Sequence, residues 1–397
     1  MSLPQVLKNK EYLILFLGMT VSKIGDWFFI IAIPLLVYDM TGSATKMSIV
    51  FALEIIPHIF FSLMGGAFAD RINKKLILVY GDLLSTFIVA IIPIIYLFGD
   101  LQLWMIYVVV FCLASVTSFY HPSFEASVPA VLKYKNLVQG NSLLKTSETV
   151  SASIAPAIVG FALGIIGYVG VLWMNAMSFL ISGIIISQLK TSLTVSKKKQ
   201  LNILSSIKEG LKYVKKDAII FSGTVYMFAV NVGYGAMEAL FIFFLKDHLK
   251  LSSTQVGIVF AVGSIGSVIA MYIANHLQHI SRGKVILYAG FVTGLAQIAL
   301  AFSYSYWLII LCQMVIQGSV TIAVINFYTL RQERVPKVLL GRVVSSTRMI
   351  AFLGIPFSGV IAGILVDRIG IVPVFTVSGC IVLASVIIGM RSKLYQS

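Results

Sequence analysis

The chain has 397 residues, of which 58% are hydrophobic and only 11% are charged, and its mean hydropathy is +0.96. A soluble domain of this size has too little interior to bury so much apolar surface, so this composition excludes the soluble classes. The net charge of +15 does not require a nucleic acid, because Lys and Arg collect on the cytoplasmic side of integral membrane proteins.

Long apolar stretches recur from near the amino terminus to the end of the chain. The first, from Tyr12 to Tyr38, is too long for the apolar part of a secretory signal and is predicted to be a membrane span. Each predicted helix is long enough to cross about 30 Å of hydrocarbon. The predicted helices cover residues 12–38, 45–69, 76–98, 103–127, 142–165, 168–189, 218–245, 254–276, 284–303, 307–330, 345–366 and 371–391.

The basic residues define an orientation. With the amino terminus inside, most of the 30 Lys and Arg residues fall on inner segments, and only Lys46, Lys246, Lys250 and Arg368 fall on outer loops. This bias predicts that both termini are cytoplasmic.

The longest polar stretch, Lys190 to Lys216, divides the chain near its middle. Within it, Ile203, Ile207, Leu211 and Val214 recur at helical spacing among lysines. We therefore expect an amphipathic helix on the inner membrane surface. The predicted division is a bundle at 1–189, a cytoplasmic linker at 190–217 and a second bundle at 218–397.

The two halves resemble each other. "KKLILVYG" at 74–81 is similar to "GKVILYAG" at 283–290, and "PAIVGFALGIIG" at 156–167 is similar to "PFSGVIAGILVDRIG" at 356–370. A duplicated six-helix unit is a feature of transporters, in which the substrate site lies near the middle of the membrane. We predict an all-α integral membrane protein with twelve transmembrane helices in two pseudo-symmetric bundles.

A charged loop interrupts the apolar sequence between the second and third predicted helices. "GGAFADRINKKL" contains Gly66, Asp70, Arg71 and Lys75 at fixed spacing. This pattern resembles the signature loop of the major facilitator superfamily, which usually has glycine where Asn73 stands. The resemblance, with twelve spans and a long central loop, extends over the whole chain.

The resemblance implies a gate on the inner side of the membrane. In the superfamily the acidic residue of this loop contacts the start of helix 11, which here lies near "GRVVSSTR". A helix amino terminus favours a nearby anion. Asp70 is therefore expected to close the gate, with Arg342 as a further partner and Gly66, Arg71 and Lys75 as the rest of the loop.

Two acidic residues fall near the middle of predicted spans. Asp26 lies in "SKIGDWF" and Glu54 in "ALEIIPH". The low dielectric of the membrane penalises an ionised carboxylate, so such a group can take up and release a proton. His58, one turn after Glu54, is expected to share its proton. Structural pairing, for example of Asp26 with Lys23, stays open as the alternative.

Three other polar residues in spans are candidates for the substrate cavity. These are Asn231 and Glu238 in the seventh helix and Asn326 in the tenth. Glu238 also suits an outer gate, and the amides also suit hydrogen bonding between helices.

Further stretches resemble one branch of the superfamily. "APAIVGFALG" resembles the antiporter motif of drug:proton exporters, although it lacks the glycine before Pro156. "GDWFFIIAIPLLVYDMTGSA", "SFYHPSFEASVPAVL" and the segment from Val335 to Gly363 resemble macrolide-efflux-like bacterial exporters.

The resemblance implies a bacterial inner-membrane secondary transporter that exports amphipathic or hydrophobic drugs by proton antiport. A lipid or lysophospholipid flippase of the same fold is the alternative. We expect a monomer that handles a small-molecule substrate, protons and membrane lipid, with no nucleic acid, metal, cofactor or enzymatic activity.

Overall fold

A computed structural model of the chain describes its secondary structure with a few gaps. The described residues are 5–69, 72–132, 136–190, 203–277 and 279–396. All of the regular secondary structure in these ranges is helical.

Twelve α-helices are numbered here in chain order. They are α1 (Lys10–Thr41), α2 (Ala44–Ala69), α3 (Lys74–Leu97), α4 (Leu103–Val131), α5 (Leu137–Ser187), α6 (Ile203–Lys216), α7 (Ala218–Phe243), α8 (Ser253–His276), α9 (Arg282–Ala301), α10 (Tyr306–Arg334), α11 (Lys337–Ile369) and α12 (Ile371–Met390).

Eleven of the helices in the described ranges are long and apolar enough to cross a membrane. One of them, α5, is broken at Gly167, where φ is 62° and ψ is −171°. Only glycine adopts that conformation without strain. The break yields two arms, each long enough to span, which correspond to the predicted fifth and sixth helices. The prediction of an all-α membrane fold is confirmed.

The chain divides into two compact units. Unit 1 consists of the described residues of Met1–Val37, Leu53–Lys199 and Ser253–Gly257. Unit 2 consists of those of Tyr38–Ala52, Gln200–Ser252 and Ile258–Ser397. Unit 2 therefore includes the end of α1 and the start of α2, and unit 1 includes the start of α8. The predicted division into two bundles and a linker stays a prediction.

The described part of the polar middle, from Ile203 to Lys216, forms α6 as predicted and packs against α11. Val214 lies in a core cluster with Val335 and Val343, and Leu339 packs against this cluster. Glu209 forms an ion pair with Arg342 of α11. Part of the apolar face predicted to lie on the membrane surface, at Val214, therefore packs on the end of α10 and the start of α11, and the position of α6 on the inner membrane surface stays a prediction.

Asp367, near the carboxyl end of α11, caps the start of α2 within unit 2. Its carboxylate accepts hydrogen bonds from the backbone N–H groups of Ala44 and Thr45, at 3.1 and 3.2 Å. It also accepts bonds from the hydroxyls of Ser43 and Thr45, at 3.0 and 2.6 Å. An anion satisfies the free N–H groups of a helix start and complements its partial positive charge.

The start of α8 packs closely on α5 within unit 1. The Thr254 hydroxyl donates to the carbonyl oxygen of Gly160 at 3.2 Å. A Cβ atom added to Gly257 would lie 2.3 Å from the Pro156 carbonyl oxygen, and one added to Gly160 would lie 2.6 Å from the Ser253 carbonyl oxygen. Gly160 of the antiporter-like stretch and Gly257 of α8 therefore allow the two backbones to touch.

Candidate functional site

Charged side chains of α1 and α4 meet inside unit 1. The Lys23 ammonium lies 3.1 Å from the Asp26 carboxylate, and the two side chains are only 24% and 22% exposed. Lys23 Nζ also lies 3.3 Å from His121 Nε2. When the ammonium donates to that nitrogen, the His121 ring is the neutral tautomer with its proton on Nδ1. Lys23 therefore links an acid to a titratable imidazole.

Helical spacing places Lys23 and Asp26 together, because residues three apart lie on the same face of a helix. His121 is nearly a hundred residues away in the sequence and reaches this face only through the packing of α4. The pairing alternative considered for Asp26 is therefore present in the structure, and a second titratable group joins it.

A second acidic residue, Asp82 of α3, lies beside this pair and was missed as a site residue. In the sequence it lies only eight residues after Lys74, the first residue of α3, so its position alone does not indicate burial. In the structure it is 1% exposed. Its carboxylate accepts a hydrogen bond from Ser182 Oγ at 2.7 Å and one from the Tyr120 hydroxyl at 3.4 Å. Distance from a helix end did not predict burial, because neighbouring helices cover the side chain.

A small cavity joins these groups. Its volume is about 10 Å³, which is room for about one water molecule. Asp26, Lys23, Asp82, Tyr120 and His121 all line it. The two acids, the ammonium, the imidazole and the phenol therefore surround one polar space inside unit 1.

His58 of α2 contacts α4 near this space. Its Nδ1 lies 3.1 Å from Ser118 Oγ and its Nε2 lies 3.4 Å from Thr117 Oγ1. Both hydroxyls direct their hydrogens at backbone carbonyls one turn earlier on α4. Each hydroxyl oxygen also lies within hydrogen-bond distance of one ring nitrogen, so His58 ties α2 to α4. The His58 and His121 rings lie 6.3 Å apart.

Glu54 is half-buried on α2 and is not among the residues that line the cavity. The interactions described above connect His58 with α4. The predicted sharing of a proton between Glu54 and His58 stays a prediction.

The inner-gate loop is described only in part. Asp70 and Arg71 lie outside the described residues, and Gly66 lies within α2. Lys75 Nζ donates to the carbonyl oxygen of Leu189 at 2.6 Å, just beyond the end of α5. Asn73, which replaces the usual glycine, caps α3 by accepting from the Lys75 backbone N–H at 3.0 Å. Arg342, the other predicted gate residue, is the partner of Glu209 described above.

The candidate cavity residues of unit 2 differ in exposure. Glu238 is exposed on α7, and the Tyr234 hydroxyl interacts with Glu238 and with Gln317 of α10. The π-helical turn Phe244–His248 continues α7, so Glu238 lies about 15 Å along the axis from the end of the span. Its role in a substrate cavity or an outer gate stays a prediction.

The two amides hold helices together. Asn231 Nδ2 donates to the Ala351 carbonyl oxygen at 2.9 Å and thereby ties α7 to α11. Asn326 is 1% exposed, donates to the Ile322 carbonyl oxygen at 2.9 Å and accepts from Arg282 at 3.4 Å. These contacts match the alternative of hydrogen bonding between helices. No group of three His, Cys, Asp or Glu side chains in the described ranges is placed to hold a metal ion.

The sequence of this chain is similar to the sequences of two bacterial efflux proteins. It is 23% identical over 388 residues to macrolide efflux protein A of Streptococcus pyogenes, covering 94% of this chain and 93% of that protein. It is 27% identical over 371 residues to the multidrug efflux pump Tap of Mycolicibacterium fortuitum, covering 90% of each chain.

Solved transporter structures have the same fold. The nucleoside transporter NupG, as its D323A mutant, matches with a TM-score of 0.83 and 13% identity over 96% of this chain and 99% of that one. A bacterial homologue of the iron transporter ferroportin, in an inward-facing state, matches with a TM-score of 0.73 and 15% identity over 97% and 98%.

A family described as "Transmembrane secretion effector" matches residues 4–397. This match covers nearly the whole chain, and the relatives named above are transporters rather than enzymes. The protein therefore belongs to the transmembrane secretion effector family of major facilitator transporters, as a multi-pass membrane protein that carries small molecules.

Proposed function

We propose that this transporter exports amphipathic or hydrophobic small molecules in exchange for protons. The names of its relatives, a macrolide efflux protein and a multidrug efflux pump, support this class of substrate. The observation that carries the proton-driven part is the polar space of unit 1, where Asp26, Asp82 and His121 surround room for one water molecule.

The contacts in that space suggest how a proton is exchanged. Lys23 holds Asp26 as an ion pair, so uptake of a proton by Asp26 would release the ammonium from it. Ser182 and Tyr120 donate to Asp82, which is a second acceptor across the cavity. His121, beside Lys23, and His58, about 6 Å from His121, are side chains of the type that forms proton relays in pumps and transporters. Such groups inside a membrane protein are costly and typically functional.

The proposed orientation places both termini in the cytoplasm of a bacterial cell, with the chain in the inner membrane as a monomer. Asp70, Arg71 and Gly66 are proposed to form the inner gate, with Lys75 and Arg342 beside it. The division into bundles at 1–189 and 218–397 with a linker at 190–217 belongs to the same proposal.

Proton coupling is tested in inside-out vesicles that contain the purified protein and a pH-sensitive dye. A proton gradient is imposed, and a panel of lipophilic drugs is added. Asp26→Asn, Asp82→Asn and Glu54→Gln are compared with Asp100→Asn, which changes an exposed loop carboxylate. We expect drugs to dissipate the gradient with the parent and with Asp100→Asn, and not with Asp26→Asn. Equal dissipation by all four variants would contradict the proposal.

A lipid or lysophospholipid flippase is the second candidate, and an apolar groove in unit 2 favours it. The groove has a volume of about 400 Å³ and is lined by α8, α9 and α10. Gly266, Ala270 and Gly318 line it together with larger apolar side chains, and an acyl chain would fit there. Transport of a fluorescent lysolipid without any drug-induced proton movement would favour this function over drug export.

A further inference from the structure

Arg331 of α10 is a buried cation that the proposed proton exchange does not use. Its side chain lies near the carboxyl end of the helix, where an arginine normally reaches the membrane surface. Here the residue is only 7% exposed. A preference for positive charge on the inner side explains an exposed arginine and does not explain this burial.

The environment of Arg331 stabilises its charge only in part. Nη1 donates to the Thr347 hydroxyl at 2.8 Å, and the guanidinium carbon lies 4.5 Å from the centre of the Phe327 ring. Nε is buried and has no hydrogen-bond partner. In the described part of the chain, Arg331 has no carboxylate within ion-pair distance. A buried charge without a counter-ion is strongly unfavourable.

A second arginine lies close by on α11. Arg348 follows Thr347 directly, is exposed, and stacks its guanidinium 5.3 Å from the centre of the Phe352 ring. The charges of Arg331 and Arg348 repel each other. Arg348 likewise has no ion pair within the described ranges. The exposed Tyr328 lies beside Arg331, with its ring centre 5.4 Å from that guanidinium.

We propose that Arg331 and Arg348, with Thr347 and Tyr328, form a binding site for the phosphate or carboxylate group of a small-molecule ligand. Guanidinium groups present paired N–H donors that match the oxygens of such anions. An oxyanion bound at this cluster would supply the missing counter-charge. This site is independent of the proton coupling proposed above, since it lies in unit 2 and shares no residue with the polar space of unit 1.

The test measures binding to the full chain in neutral maltoside micelles by titration calorimetry. The probes are hexyl phosphate, inorganic phosphate and the matched cation hexyltrimethylammonium. Arg331→Gln and Arg348→Gln remove one charge each. Arg331→Lys keeps the charge but lacks the paired N–H donors of a guanidinium group. Arg391→Gln is the control, because it removes an equal charge from an exposed position of unit 2.

We expect the parent and Arg391→Gln to bind hexyl phosphate saturably. We expect Arg331→Gln and Arg348→Gln to bind it at least about tenfold more weakly, because each variant loses hydrogen bonds to a charged group. Displacement of hexyl phosphate by inorganic phosphate would support the site with a free oxyanion as ligand. Failure of inorganic phosphate to displace it would support the site with an amphiphile as ligand.

Two results would overturn the proposal. The first is unchanged affinity in a folded Arg331→Gln variant that only melts at lower temperature, because that result describes a purely structural arginine. The second is equal binding of hexyl phosphate and hexyltrimethylammonium. If Arg331→Gln does not fold, Arg348→Gln and Arg331→Lys decide the matter, and parent-like affinity in both would contradict the site.

Discussion

At the scale of single residues, Lys23 and Asp26 form an ion pair inside unit 1. Both side chains are mostly buried, and each compensates the charge of the other. Removing one partner leaves an uncompensated charge, whereas removing both leaves none. The pair therefore has a characteristic response to single and double substitution.

We predict that Lys23→Met lowers the stability of the protein by about 1–3 kcal/mol, because it leaves the Asp26 carboxylate buried without its cation. The double variant Lys23→Met/Asp26→Asn should recover most of that loss. Tryptophan fluorescence during unfolding in detergent gives the free energy of unfolding of the parent, of Lys23→Met, of Asp26→Asn and of the double variant. A double variant that is as unstable as the sum of the two single variants would show that the pair is not coupled.

At the scale of helices, the close contact between α5 and the start of α8 depends on glycine. An added methyl group at Gly257 would meet a backbone oxygen, which cannot move aside as a side chain can. At Gly164 the nearest neighbour is the Thr254 hydroxyl at 3.8 Å, which is ordinary contact. The same small substitution should therefore have different effects at these two positions.

Gly257→Ala is expected to destabilise the protein by about 1–3 kcal/mol through overpacking. Gly164→Ala is the matched control, and we expect its melting temperature to stay at or above that of the parent. The two melting curves in the same detergent measure the difference. Similar melting temperatures for both variants would mean that the helices are not in backbone contact at Gly257.

The cap on α2 gives a third expected outcome. Asp367→Ala removes the acceptor of four hydrogen bonds at the start of α2 and should cost about 0.5–2 kcal/mol, as the loss of a helix cap does. The control is Arg368→Ala, which alters the neighbouring exposed residue. Hydrogen exchange at the amides of Ala44 and Thr45 reports the cap directly. Unchanged exchange at these amides in Asp367→Ala would contradict it.

Helices were easier to predict than the contacts between them. Continuous apolar stretches fix where the chain must be helical in a membrane, because only internal hydrogen bonds satisfy the backbone there. The break at Gly167 lies between the predicted fifth and sixth helices. The environment of Asp82 and Arg331 could not be predicted in this way, because their burial depends on side chains from helices distant in the sequence. The packing of α6 on α11 is a further case, since an apolar stripe does not identify what covers it.

At the scale of the whole molecule, the family and the fold together define a transporter, whereas the energy source belongs to our proposal. The candidate site was predictable in part, since Asp26 and His58 were identified from their position in apolar spans. Asp82 and His121 were missed, because a polar residue near a helix end has a simpler explanation in sequence alone. The connected groups of unit 1 make a stronger case for proton exchange than any one acid does.

The most direct test of proton-driven export separates coupled transport from simple exchange. Proteoliposomes that contain the protein are loaded so that the lumen is acidic, and accumulation of a labelled lipophilic drug is measured with and without a protonophore. Asp26→Asn is measured beside the parent, and exchange of labelled for unlabelled drug is recorded without any gradient. We predict that the parent concentrates the drug until the protonophore is added, and that Asp26→Asn exchanges the drug but does not concentrate it. Accumulation that persists with the protonophore, or that is unchanged in Asp26→Asn, would contradict proton exchange through this site.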